Sequence, residues 1–454
     1  MGETDILAGH PEAASRLRRR ESWLWVNPRL GEPGEPAGAP KLSIADVQDA
    51  EARWRRFAPL LASLFAELAP ARGIIESPLL AGDAFARVLR ERYGVPLAGR
   101  LAIKADGALP VAGSIKARGG IYAVLCFAEK LALEAGLVAP GESYLNVACP
   151  RARELFSRYE LSVGSTGNLG YSIGVAGAAL GFRVTVHMSR EAREWKKARL
   201  RKLGVNVVEH ESDYTAACVE ARRIAESDPQ NHFIDDENSL ELFLGYSVAA
   251  LRLPGQLAGM GIEVGPDRPL FVYLPCGVGG APGGITFGLK QIYGEAVHCF
   301  FAEPTEAPCM LLGMLTGLHS RASVYDAGLT LATGADGLAV SRPSRFVGQL
   351  MASMAGGVFT LTDDQMCRYV AEIHDSQGVK AELSAAAGCA GPGMLLTTEE
   401  GRSYLRRHEL EDKLPAATHL IWTTGGLLMP DEEFHSLLAR ARRAGDARGG
   451  RRQA

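Results

Sequence analysis

A lysine set among small residues is the first place in this chain where chemistry could occur. Pro110-Val111-Ala112-Gly113-Ser114-Ile115-Lys116-Ala117-Arg118-Gly119-Gly120 carries Lys116 from a loop into a predicted helix. No acid lies nearby in sequence, so its expected partner is a ligand, and a carbonyl cofactor would fit. To act as a nucleophile the amine must be neutral, against a reference pKa of about 10.4. Desolvation and Arg118 could both push it that way. The plain alternative is a helix-start lysine whose stem lies on the surface with its head in water.

Three glycine-rich turns accompany it. Ser165-Thr166-Gly167-Asn168-Leu169-Gly170 lies between a predicted strand and helix, where backbone N–H groups and the helix dipole favour an anion such as a substrate carboxylate. Cys276-Gly277-Val278-Gly279-Gly280-Ala281 follows a strand, and its glycines let several N–H groups converge on a phosphate. A dinucleotide turn competes there, but the G-x-G-x-x-G pattern fails at Pro282 and no Walker lysine is present. Thr423-Thr424-Gly425-Gly426 ends a strand near the C-terminus. Alone, each reads as an ordinary turn.

Together they carry a resemblance. Ser114-Ile115-Lys116-Ala117-Arg118-Gly119-Gly120 closely resembles the cofactor-lysine motif of the D-serine dehydratases (D-serine ammonia-lyases), which are fold-type II pyridoxal-phosphate enzymes. The turns follow in the family's order and approximate spacing, from about residue 75 to about residue 430. The resemblance implies that Lys116 holds pyridoxal 5′-phosphate (PLP) as a Schiff base. It implies that Ser165, Thr166 and Gly167 hold the substrate carboxylate and that Asn168 meets the phenolic oxygen of PLP. Gly277, Val278, Gly279, Gly280 and Ala281 would grip the phosphate, and Thr424 would face the pyridine nitrogen. A hydroxyl cannot strongly hold that nitrogen protonated, which favours prompt loss of a β-leaving group over a long-lived carbanion. Leu169 departs from the His of many L-serine and L-threonine dehydratases. Glu382-Leu383-Ser384-Ala385-Ala386 is similar to the family's E-P-S-A segment with Leu383 in place of proline, and Glu303 could contribute to a monovalent-cation site for K+ or Na+.

The implied activity is α,β-elimination of water from D-serine to pyruvate and ammonia. An L-serine/L-threonine dehydratase or a β-replacement synthase would share the fold, and a nicotinamide-binding oxidoreductase is the alternative from another class. D- and L-serine place their Cα hydrogens on opposite ring faces. If carboxylate and side chain keep one arrangement and Lys116 serves the face of an L-substrate, D-serine needs either a rotated pose or a base on the far side, for which Thr166 and Asp236 are candidates.

The chain around these residues is ample. With 454 residues and 47% hydrophobic content it can bury a large core. Forty-nine basic against 52 acidic residues give a net charge of −3, which argues against nucleic acid or an anionic membrane as the main partner. Eight cysteines lack a C-x-x-C and ten histidines lack a zinc-like cluster, so reduced thiols and the cytosol are expected. The acidic start Met1-Gly2-Glu3-Thr4-Asp5-Ile6 reads as no export signal, and apolar stretches break well before 18 residues. A monomer or small homo-oligomer acting on a small amino acid is expected.

The predicted fold class is α/β. The resemblance implies a tryptophan synthase β-like architecture, two parallel-sheet domains with the cofactor between them. Expected are a helical extension over 1–75, a larger domain over 76–115 and 239–440, a smaller one over 116–238, and a basic, frayed tail over 441–454. Ser43 should cap a helix through Val47, Ala50 and Trp54 that Pro59 interrupts, with a second helix from Pro59 to Leu68. Strands are expected at 97–106, 161–163, 183–188, 205–208, 233–234, 271–275, 297–301 and 419–422, alternating with helices from 161 onward. Ser212 or Asp213 should cap the helix through Ala225.

Overall fold

Short apolar runs bounded by Gly, Pro and Asn form the strands of two sheets. The computed structural model describes residues 6–32, 40–139, 142, 144–165, 167–190, 192–211 and 214–449. Thr166, Ser212 and Asp213 lie outside them. The strands are β1 (Leu24–Val26), β2 (Leu79–Ala81), β3 (Arg100–Ala105), β4 (Glu160–Gly164), β5 (Arg183–Ser189), β6 (Asn206–His210), β7 (Asn231–Phe233), β8 (Leu270–Pro275), β9 (Val297–Pro304), β10 (Gly357–Leu361) and β11 (Thr418–Thr423).

The larger sheet has seven strands in the order β1-β10-β9-β8-β11-β3-β2, and the smaller has four in the order β6-β5-β4-β7. All four strands of the smaller sheet are parallel. The larger is parallel in its interior and antiparallel at both edges, where β1 meets β10 and β2 meets β3. β8, β9 and β11 are buried along their whole length, as expected of parallel strands covered on both faces by helices. The helices Leu240–Gly259 and Gly280–Tyr293 pack on each other beside this sheet.

Three segments depart from the sequence expectation. Pro59 does not interrupt its helix, which runs unbroken from Ile44 to Leu64 with Ser43 N–H donating to Asp46 at 2.7 Å. An interior proline costs about 3 kcal/mol, whereas burial gains about 1.5–3 kcal/mol for each large apolar side chain. Phe57, Leu60 and Leu61 are all buried on one face across the proline, so continuity wins. The extension is not purely helical either, because β1 closes the β10 edge and Asn27 Nδ2 ties it down through the Ala352 and Ala355 carbonyls at 2.9 and 2.8 Å. Of the tail expected to fray, 441–449 continue the helix Asp431–Gly449, whose Phe434, Leu438 and Ala441 are buried against the core, and 450–454 lie outside the described residues.

Candidate active site

The carboxyl ends of β4, β8 and β11 converge, and each hands the chain to one of the glycine-rich turns. This is where open α/β sheets bind ligands. Lys116 arrives from β3. Ile115 N–H donates to the Thr424 carbonyl at 2.7 Å and Ser114 bridges Gly425, so the lysine loop is stitched to the end of β11. Val111 in this loop has φ +72°, a costly conformation for a β-branched residue. After Lys116 a single wide π-helical turn, Ala117–Ile121, leads into the helix Tyr122–Glu134. Such turns are rare and recur at functional sites.

The partner of Lys116 is an acid distant in sequence. Its Nζ lies 3.4 Å from Asp236 Oδ2 and 5.7 Å from the centre of the Tyr246 ring. Burial disfavours the ammonium, but Asp236 and Tyr246 outweigh it and hold the lysine pKa above its ordinary value. Their net effect is opposite to the expected push toward a neutral amine. Arg118 does not act on it as expected, because its charge is spent elsewhere. The guanidinium grips Asp106 at 2.7 and 2.8 Å and also pairs with Glu76, and its side chain is 3% exposed. Lys104 and Arg252 join the same buried network, Lys104 through Glu76 at 2.7 Å and Arg252 through both Glu76 at 3.5 Å and Glu51 at 2.7 Å. Arg118 thus anchors the lysine loop from below.

The loop Gly277–Ala281 joins β8 to the helix Gly280–Tyr293, so a helix N-terminus points at the space beside it. Gly279 has φ +110°, and any Cβ there would run into Met310 and Val347. The Gly277 carbonyl accepts from Cys276 and Cys309 thiols at 3.5 and 3.4 Å, and Ser344 N–H donates to the Val278 carbonyl at 2.8 Å. Burial pushes both thiols well above their usual range, so they serve as inert packing.

On the opposite wall the helix Asn168–Leu180 begins at the other turn. Ser165 Oγ accepts the N–H groups of Gly167 and Gly170, both at 2.9 Å. The Gly167 N–H is thus engaged inside the turn, and Gly167 does not line the cleft as expected of a carboxylate-binding residue. Asn168 Nδ2 donates to Glu382 Oε1 at 2.5 Å, leaving its second N–H for the cleft. Glu303, offered as a cation ligand, lies fully buried on β9 and is not among the lining residues. Its carboxyl oxygens accept from Met310 and Leu311 N–H at 2.7 and 2.9 Å, which ties it to the start of the helix Cys309–Thr316. Among the described residues no cluster of three or more His, Cys, Asp and Glu could hold a metal ion.

Lys116, Ser165, Asn168, Asp236, Gly277, Val278, Gly279, Gly280, Ala281 and Thr424 all line one cleft. Its atom-free space, open mouth included, is about 690 Å³, within the size range of small-molecule and cofactor sites. A lysine facing a glycine cradle at a helix N-terminus, with a hydroxyl-bearing strand end alongside, fits an aldehyde cofactor that carries a phosphate. Sequence reasoning missed Tyr246, the Gly337–Val340 segment and Lys196. Tyr246 looks like one more apolar position of its helix, and Lys196 sits in the charged run Glu194-Trp195-Lys196-Lys197, which reads as a solvated face.

The sequence pattern of the family described as "Pyridoxal-phosphate dependent enzyme" matches residues 73–402. This chain belongs to that family. Among its relatives in the family is a protein named "Probable D-serine dehydratase" from Chromobacterium violaceum, 54% identical over 434 residues, covering 95% of this chain and 96% of the relative. One of the same name from Desulfitobacterium hafniense is 50% identical over 442 residues, covering 97% of this chain and 100% of the relative. The fold is that of solved family members: diaminopropionate ammonia lyase from Escherichia coli in complex with D-serine superposes with TM-score 0.70 at 17% identity, covering 92% of this chain and 97% of that one. Both are fold-type II PLP enzymes. Among the described residues no helix is long and apolar enough to cross a membrane.

Proposed function

We propose that the cleft catalyses α,β-elimination of water from D-serine, giving pyruvate and ammonia. The observation that carries this reading is identity of 50–54% to probable D-serine dehydratases along almost the entire chain. When bound, PLP supplies a carbonyl that captures the amine and an electron sink for the pair left at Cα. The residues of the chain do the rest. Lys116 would provide the attaching amine, and Asp236, 3.4 Å away, would take the proton that the ammonium must lose. The Cα proton goes to Lys116 or to the second base, and the departing β-hydroxyl takes up a proton from an acid so formed and leaves as water. Gly277–Ala281 and the helix behind them hold the phosphate. Thr424 and Asn168, which both line the cleft, would meet the ring nitrogen and the phenolic oxygen, the latter through the Asn168 N–H not given to Glu382. The Ser165 hydroxyl, whose oxygen already holds the turn, keeps its proton for the substrate carboxylate.

The substrate is tested by following pyruvate release from D- and L-serine, with and without a thiol acceptor. Preference for D-serine of about a hundredfold in kcat/KM or more is expected, since misplacing a reacting hydrogen costs at least this much. Preference for L-serine, or thioether formation in place of pyruvate, replaces the reading with one of its fold-sharing rivals. Thr166→Val and Asp236→Asn with α-deuterated D-serine assign the second base. A slowed hydrogen-removal step marks it, and weakened substrate binding alone marks a binding group.

A further inference from the structure

Lys196 lies outside the cleft and still touches what shapes it. It belongs to the helix Glu194–Lys202 beside the smaller sheet, and its side chain is 4% exposed. Its Nζ lies 2.8 Å from Asp336 Oδ2 and 3.5 Å from Glu382 Oε2, two acids from segments packed on the larger sheet. Burial works against the ammonium, and Asp336 followed by Glu382 outweigh it, so Lys196 stays charged. Its stem packs against Gly167, where a Cβ would collide with the Lys196 side chain. The other oxygen of Glu382 accepts from Asn168, and Glu382 N–H donates to the Gly425 carbonyl at 3.1 Å beside Thr424. One ammonium therefore bears on two turns that line the cleft from opposite sides.

We infer that Lys196 is a positioning residue, which fixes the direction of the Asn168 amide by pinning Glu382 through Oε2 so that Oε1 is held toward Asn168. The chemistry is that of hydrogen-bond polarity. A carboxylate only accepts, so the amide must turn its NH2 toward Glu382 and offer its second N–H to the cleft. Without Lys196 the carboxylate loses the contact that holds its Oε2, and the amide loses the fixed partner that aims its second N–H into the cleft. The inference rests on the cleft being the PLP site, and its main readouts need no substrate.

The test uses the holoenzyme of Lys196→Met, Lys196→Arg, Glu382→Ala and the double variant Lys196→Met/Glu382→Ala. Lys196→Met should shift the visible absorbance of the bound cofactor and its pH dependence without substrate. It should also lower kcat for D-serine by about tenfold, in line with loss of precise placement, while KM changes less. Lys196→Arg should restore both. The double variant should be no worse than the poorer single, because both changes break one path. A wild-type cofactor spectrum in folded Lys196→Met overturns the inference, as do losses that multiply in the double variant. If Lys196→Met does not fold, Asp336→Asn takes its place under the same criteria. Retained spectral effects with no D-serine turnover would count against the substrate assignment alone.

Discussion

The two sheets differ in how tightly they are enclosed. In the larger one β8, β9, β10 and β11 are buried throughout and part-exposure is confined to the edges β1 and β2 and one end of β3. In the smaller one the interior strands β4 and β5 are buried except at their ends, and the edges β6 and β7 are half-exposed along much of their length. The groups proposed to carry PLP divide unequally between them. The lysine, the glycine cradle and the ring-facing threonine are fixed by the larger sheet, and the smaller contributes Asn168, Asp236 and the Lys196 tie. Covalent attachment and phosphate binding demand geometry that does not yield, and a closed sheet supplies it. Adjustable contacts to the substrate side of the ring can come from the less enclosed partner.

Removing Lys116 gives the largest expected effect. Lys116→Ala should abolish the visible absorbance of lysine-bound cofactor and lower turnover by about three orders of magnitude or more, as nucleophile deletions do, while the circular dichroism stays native. Full turnover in this variant would remove the larger region's claim to the chemistry. Next come Gly279→Asp and Asn168→Ala, one from each region. Gly279→Asp places bulk and negative charge beside the phosphate at φ +110°, and equilibrium dialysis should show PLP held at least about tenfold more weakly. Asn168→Ala should retain the cofactor and lose about tenfold to a hundredfold in kcat. If both variants lose PLP equally, the division of labour fails.

The smallest effect concerns stability. Burial pushes the Glu303 carboxyl from 4.5 up to about 8, so the native chain keeps a proton that the unfolded chain releases. The stability this contributes is complete below about pH 4.5 and is lost as pH rises toward about 8, at about 1.4 kcal/mol per pH unit. His298 and His419, lowered by burial to about 3 and about 4, work the other way below about 6.5, where unfolded imidazoles take up protons. Denaturant titrations of wild type and Glu303→Gln isolate the carboxyl, because between about pH 4.5 and about 8 the wild type should lose stability relative to the variant, which does not titrate. All three groups sit on β9 or β11, so this pH dependence belongs to the larger region.

The readable parts of the site were those where one chemical demand governs a local stretch. Glycines clustered after a strand leave a compact mark, and Gly277–Ala281, singled out for that reason, lies in the lining of the cleft. Strand cores were legible because continuous burial leaves continuous apolar runs, as in Phe271-Val272-Tyr273-Leu274. The partners of Lys116 were not. Asp236 was singled out as an acid with no indication that it meets the lysine, and Arg118 looked free because Asp106 and Glu76 reach it only through the fold. Pro59 misled because its local cost is visible in sequence and the packing that offsets it is not.

The strand order also bears on synthesis. β11, at residues 418–423, lies between β8 and β3 in the middle of the larger sheet. The four strands of the smaller sheet are contiguous in the chain and can pair as soon as residue 233 has emerged. The larger sheet stays in two halves until almost the whole chain has left the ribosome, and the edges of β8 and β3 remain bare meanwhile. A ribosome that stalls or terminates between Leu361 and Thr418 would therefore release a chain with the strands of the smaller sheet complete and the edges of β8 and β3 that β11 covers left unpaired. Such truncated products are prone to associate with one another and to recruit chaperones.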